Sequence, residues 1–344
     1  MQQNMRIKKM DDWKWIAAFL VVAIHTSPLE SISKLADFVL TRELARIAVP
    51  LFFMITGYFS LQKNKLAGSV KRLLLLYLGV TVLYLPVQIY RYLPLKQVAV
   101  SDVLKNLLRA VFFDGTYYHL WYMPAVIEGL LIVYFLLKLG RRTAFILSSL
   151  LYVIGLLGDS YYGWISQNPV LRQVYEWMFG FFSQTRNGLF FAPIFLLLGY
   201  EISLAHIKRK QRALSCFLLW LFLMVVEGLL LHFAGWQRYD SMYLCLPFCM
   251  FFLFLYLTAE KKQVPAGFIS AKMKEGPMLL YFIHPYAILL LRGFVKVTGL
   301  SFILSISPIY YVAVLTISIV FVIVFMLWQQ RRKCKKGETY VSEG

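Results

Sequence analysis

Apolar runs of about 17–25 residues, each long enough to cross a bilayer as a helix, recur along the chain. They lie near 13–30, 44–62, 73–92, 120–138, 143–158, 188–205, 213–234, 241–258, 277–295 and 303–328. Short polar breaks separate most of them, so the pattern predicts an all-α, polytopic membrane protein with about ten transmembrane helices. Placing lysine and arginine on alternate sides gives 24 for the N-terminus, every second loop and the tail, against 12 for the other segments. Basic residues mark the cytoplasmic side, so both termini are expected there. The clusters Lys208–Arg212 and Arg331–Lys336 then lie inside, and the long segments 93–118 and 159–187 lie outside. The second of these carries aromatic residues at near-helical spacing, interrupted by Pro169, and reads as an amphipathic helix along the membrane surface, serving as a lid or an interface anchor.

Composition agrees with this pattern. The 344 residues are 60% hydrophobic and 15% charged, which excludes an ordinary water-soluble domain. The net charge of +19 is spread as short clusters between spans, as orientation requires, so nucleic-acid binding is rejected. Asp11, Asp12 and Lys14 interrupt the start of the first run and no small-residue cleavage site follows, so a retained helix is expected rather than a signal peptide. Cys216, Cys245, Cys249 and Cys334 show no C-x-x-C spacing, and no metal site is expected. No repeat or soluble segment emerges: 1–329 reads as one membrane domain, followed by a basic and polar tail over 330–344.

Few polar side chains interrupt the spans: His25, Arg46, His119, Glu128, Glu227, His232 and His284, with His206 beside an inner basic cluster. Ionisable groups are costly in hydrocarbon and are functional hypotheses by default. Lys14 and His25 stand out. Eleven helical steps make three turns plus roughly 20°, which puts both on one face about 16 Å apart. His284 precedes Pro285, whose ring removes a backbone N–H and frees a carbonyl that the imidazole is expected to serve.

Five stretches resemble the membrane acyltransferases of family 3, which include sugar and peptidoglycan O-acetyltransferases. They are Asp11–His25 (DDWKWIAAFLVVAIH), Arg46–Phe59 (RIAVPLFFMITGYF), His119–Met123 (HLWYM), Phe190–Tyr200 (FFAPIFLLLGY) and Tyr281–Pro285 (YFIHP). Most specific is a basic residue, ten intervening positions and a histidine, followed by R-x-x-V-P-x-F-F. The resemblance implies transfer of an acyl group, usually acetyl, from cytoplasmic acetyl-CoA or another acyl-CoA to a hydroxyl of a cell-surface glycan or similar acceptor. It implies no tightly bound cofactor, a multi-pass place in a bacterial cell membrane, and leaves open a homo-oligomer.

Within that resemblance His25 is the expected catalytic group, as base or acyl carrier. Lys14 is assigned to the donor's phosphates or pantetheine, against orientation and snorkelling. Arg72 matches part of a two-arginine donor-binding pattern whose second member is replaced in the LLLL run. Arg46 is open between an anionic acceptor and carboxylate pairing. His119 and Trp121, opening the fourth span at the outer surface, are open between an acceptor sugar and an aromatic belt. Glu128 is open between orienting a histidine and satisfying a backbone or tyrosine partner. The first span also resembles the membrane half of vancomycin-resistance serine racemases, in which this domain precedes a pyridoxal-phosphate domain and is thought to handle serine. No soluble stretch follows here, so the expectation is either a stand-alone acyltransferase or the isolated membrane half of a racemase.

Overall fold

A computed structural model of the chain describes residues 7–62, 65–92, 100–205, 210–259 and 275–335. His206, Lys208, Arg209, the tail from Lys336 and residues 93–99 of the first long outer segment lie outside the described residues. What is described is helical, without strands. In order, the helices are α1 (Lys8–Thr26), α2 (Lys34–Phe38), α3 (Ala48–Ser60), α4 (Leu66–Tyr92), α5 (Val100–Arg109), α6 (Tyr122–Lys138), α7 (Arg141–Leu157) and α8 (Tyr162–Ile165). There follow α9 (Pro169–Phe179), α10 (Ala192–Leu204), α11 (Lys210–Phe233), α12 (Leu246–Thr258), α13 (Gly276–Thr298), α14 (Phe302–Ser305) and α15 (Ser307–Lys335). The chain divides into two compact units, one formed by Met1–Ala48 with Lys261–Gly344 and the other by Val49–Glu260.

In the first unit α1, α13 and α15 pack pairwise. Lipid is as apolar as the side chains, so such packing relies on close van der Waals contact, which small residues permit. α1 supplies them: Ala17, Ala18 and Ala23 are all buried. Leu280, Ala287, Ile288, Leu291 and Val295 form the facing stripe of α13, at the spacing of one helix face. One end of the unit is closed by hydrogen bonds. The Ser307 hydroxyl donates to Pro28 O at 3.0 Å and accepts from Ser31 N at 3.0 Å.

In the second unit α6, α7 and α10 pack on one another, α4 on α6, and α11 on α12. α3 crosses α10 at direct backbone contact: a Cβ on Gly57 would meet the Leu196 carbonyl, and one on Gly199 the Met54 carbonyl. Two carboxylates fasten the loop that leads into α12. Asp159, fully buried after α7, accepts from Ser241 N at 2.7 Å and Met242 N at 3.0 Å. Glu227 on α11 accepts from Leu244 N at 2.5 Å, Cys245 N at 2.9 Å and the Tyr161 hydroxyl at 2.9 Å. Burial and then the adjacent Glu227 carboxylate push the Tyr161 hydroxyl above its ordinary range, so it remains the donor.

Each predicted span overlaps a helix, yet the boundaries move for identifiable reasons. The first helix runs over 8–26 instead of 13–30: Ser27 takes a left-handed conformation (φ 47°) and donates to Ala23 O, and Pro28 stops the helix. The second starts only at Ala48, after a π turn (Val39–Glu43) and a 3-10 turn (Leu44–Ile47). α10 and α12 hold 13 residues each, about 20 Å, because the Asn187 and Asp159 loops use the first positions of the predicted runs. The segment is interrupted where expected, between α8 and α9, and Pro169 begins α9, where its missing N–H costs nothing, while Asn168 Oδ1 caps Val170 N and Leu171 N. Four of the described helices are long and apolar enough to cross a membrane: Leu66–Tyr90, Gln211–Phe233, Gly276–Thr298 and Ser307–Arg332. The protein is a helical membrane protein.

The glycine contacts set a test of the α3–α10 crossing. Gly57→Ala places a methyl against backbone that cannot yield, an overpacking worth about 3 kcal/mol, whereas Gly79→Ala on α4 points into open space and is neutral or stabilising by up to about 1 kcal/mol. Thermal unfolding in detergent should separate the two; equal midpoints would refute direct backbone contact.

Candidate active site

His25 lies in the last turn of α1, which ends one residue later, and not at the middle of a long span as its position in the apolar run suggests. Its ring, half-buried, stacks on that of His284 with centroids 5.2 Å apart and planes 22° from parallel. His284 belongs to the buried stripe of α13, between Leu280 and Ala287, and is fully enclosed. Its Nδ1 lies 3.3 Å from Leu280 O. A carbonyl only accepts, so this contact requires the tautomer with hydrogen on Nδ1. The imidazole therefore does serve the backbone: it bonds Leu280 O and also the backbone of Tyr281, whose carbonyl Pro285 deprives of its amide partner. What the sequence reading missed is that the same ring forms the wall against which His25 lies. No periodicity reveals this, because the two histidines are on different helices.

Three turns before His25, the Lys14 ammonium is held by Asp11 at 2.9 Å, an i,i+3 pair on one helix face. The charge expected to meet the donor is thus shared with a carboxylate of the same turn. Arg46 is buried in the 3-10 turn, its Nε donating to Arg42 O at 3.3 Å. Glu43, absent from the polar residues singled out in the sequence, is fully buried in the neighbouring π turn, and both turns pack on α1. Such π turns recur at functional sites. The first unit therefore gathers His25, His284, Lys14, Glu43 and Arg46 along or against α1 and α13.

The remaining candidates sit in the second unit. His119 is not presented at a surface: it is 1% exposed and walled by Tyr84, Tyr117 and Tyr118, with centroids 5.0–5.5 Å away. Trp121, just before α6, has the guanidinium of Arg186 over its ring at 4.3 Å, and Arg186 Nη1 donates to Ser241 Oγ at 3.2 Å. One indole face expected to receive a sugar is thus covered by a cation. Glu128, two turns on, lies against Gly188, where a side chain would collide with its carboxylate. It has no hydrogen-bond or ion-pair partner among the described residues. Arg72 is exposed near the start of α4. Among the described residues no group of three or more potential metal ligands occurs.

The fold is that of a helical membrane protein, with His284 of α13 stacked on His25 at the end of α1. The chain matches the model of the acyltransferase-3 family, described as an acyltransferase domain, over residues 7–328, and it belongs to that family. Three curated relatives add detail. Two are amino-acid racemases of Enterococcus faecalis, 39% identical over 76% of this chain and 36% identical over 85%. The third is a serine/alanine racemase of Enterococcus gallinarum, 34% identical over 94% of this chain. The chain spans only 38%, 42% and 46% of those proteins. No solved structure matches it.

The stack itself can be tested for energy. His284→Phe keeps a flat ring beside His25 and loses the buried hydrogen bonds of the imidazole to the α13 backbone, about 1 kcal/mol each. His284→Ala leaves a cavity as well and should cost about 2 kcal/mol or more. Differential scanning fluorimetry in detergent should rank wild type above Phe above Ala, and equal midpoints would remove the ring from the packing.

Proposed function

We propose that the protein is a multi-pass cell-membrane acyltransferase that moves an acyl group, acetyl in the simplest case, from cytoplasmic acyl-CoA to a hydroxyl of a cell-surface glycan or similar acceptor. The observation that carries this reading is the His25 ring laid on the enclosed His284, in a chain of the acyltransferase-3 family. An imidazole whose orientation is fixed by packing is suited to hold a reacting proton. As base, His25 takes the acceptor hydroxyl proton while that oxygen attacks the thioester carbonyl. The C–S bond then breaks and the proton passes to the departing coenzyme-A thiolate, leaving an ester and a free thiol. As acyl carrier, the imidazole would itself attack the thioester, breaking the C–S bond and passing its ring proton to the departing thiolate; the acceptor oxygen would then attack the acyl group, the C–N bond would break and the hydroxyl proton would return to the ring nitrogen.

Lys14 and Arg72 are the donor-side cations of this reading, and Arg46, His119, Trp121 and Glu128 its acceptor or cavity residues. The excess of basic residues in alternate loops supports ten spans with both termini cytoplasmic. In that arrangement Lys14 enters from the side where acyl-CoA is made.

A second reading has its own support: the three racemases to which the chain is 34–39% identical. It holds that the domain takes up or presents L-serine, a small zwitterion that needs one anionic and one cationic contact and no phosphate site.

His25→Ala should lower acyl transfer by roughly 10²-fold or more with unchanged expression; undiminished activity would remove the residue from its role. Lys14→Ala should raise KM for acyl-CoA more than it lowers kcat, the mark of lost donor binding. The two readings separate by ligand: coenzyme A raising the melting temperature where L-serine does not favours transfer, and the reverse favours the racemase-type function.

A further inference from the structure

A groove of about 730 Å³ runs between α7, α10 and α12 in the second unit, within the size range of small-molecule sites. Its charge is confined to one end. Arg141 and Arg142 open α7 there, and Glu201, near the end of the antiparallel α10, is paired with Arg141. Arg142 is exposed, with no ion pair among the described residues. From that mouth the lining turns apolar, through Phe145, Val153, Ile194 and Phe248. Its deeper Tyr152 hydroxyl is spent on Tyr243 O at 2.6 Å. Phe145 is 48% exposed and Phe248 47%, so the groove opens sideways, toward lipid in a membrane-spanning chain.

Two guanidiniums and one carboxylate leave a single positive charge at the mouth. Arg141 to Tyr152 is eleven residues of helix, about 16 Å, close to half of a hydrocarbon core of about 30 Å. A groove that is charged at one end, apolar for the depth of one leaflet and open to its side has the shape of an amphiphile with one negative head charge. Neither a coenzyme-A nucleotide nor serine has that shape.

We propose that this groove is a binding site for an anionic glycerophospholipid of the bilayer, with one acyl chain along Phe145 and Phe248 and the phosphate on Arg141 and Arg142. The site rests on the chain being a membrane protein and is independent of the chemistry at His25. Binding would fix α7 against α10 and α12 and make stability depend on lipid charge.

The test is native mass spectrometry of the purified full chain, delipidated and titrated with phosphatidylglycerol and phosphatidylcholine of equal chain length, with melting temperatures in the same mixtures. One phosphatidylglycerol should be retained per chain, about fivefold or more in preference to phosphatidylcholine, the scale of one basic contact at a lipid surface. Arg142→Glu, on an exposed position that leaves folding intact, should erase that preference. Ser149 on α7 also lines the groove, and Ser149→Trp, which fills it, should abolish retention of both lipids. Equal retention of the two lipids, or a preference that survives Arg142→Glu, would overturn the proposal. So would displacement of phosphatidylglycerol by an equimolar polyprenyl monophosphate, which would make the occupant a carrier lipid. If Ser149→Trp does not fold, the Arg142→Glu comparison decides alone.

Discussion

In an apolar chain of this kind every backbone N–H and C=O has to be satisfied from within, because hydrocarbon offers no substitute for water. Helix interiors do this by themselves; helix ends do not. The second unit answers with side chains that serve the backbone. Asp159 and Glu227 each take two amides of the loop before α12, and Asn187 takes two before α10. In the first unit Asp37 receives Leu29 N, and Ser31 and Ser307 close the turn after α1 on the start of α15.

That constraint also sorts the polar residues by role. Glu227, which stands alone in an apolar run and so invites a functional reading, is consumed by backbone amides and a tyrosine. Lys14 is shared with Asp11, and Arg186 with Trp121 and Ser241. His25 differs. Its helix ends at Ser27 through a backbone turn, and its imidazole stacks on a second ring. A ring fixed in orientation suits the proton transfer or acyl carriage proposed for it. Family membership supports the chemistry proposed for that geometry, and the racemase relatives support the second reading.

The charge asymmetry of the α7–α10–α12 groove is a separate matter, since it lies in the unit that does not hold His25. If an anionic lipid occupies it, membrane composition acts on the packing of those three helices. This links the basic start of α7 to more than orientation.

The sequence by itself determined the membrane class, the helical architecture and the family, because apolar runs of bilayer length and the R-x-x-V-P-x-F-F stretch are properties of neighbouring residues. It also singled out His25 as a candidate, as a polar group placed where lipid penalises it. Tertiary structure alone decided the rest. That α10 and α12 begin late follows from Asn187 and Asp159 finding amides near or far along the chain, and the 82-residue separation of Asp159 from Ser241 has no periodic signature. That His119 is enclosed, that Arg186 covers Trp121 and that His284 backs His25 depend on which helix faces meet. Helical spacing fixes a side chain's direction about its own axis but says nothing of its neighbour.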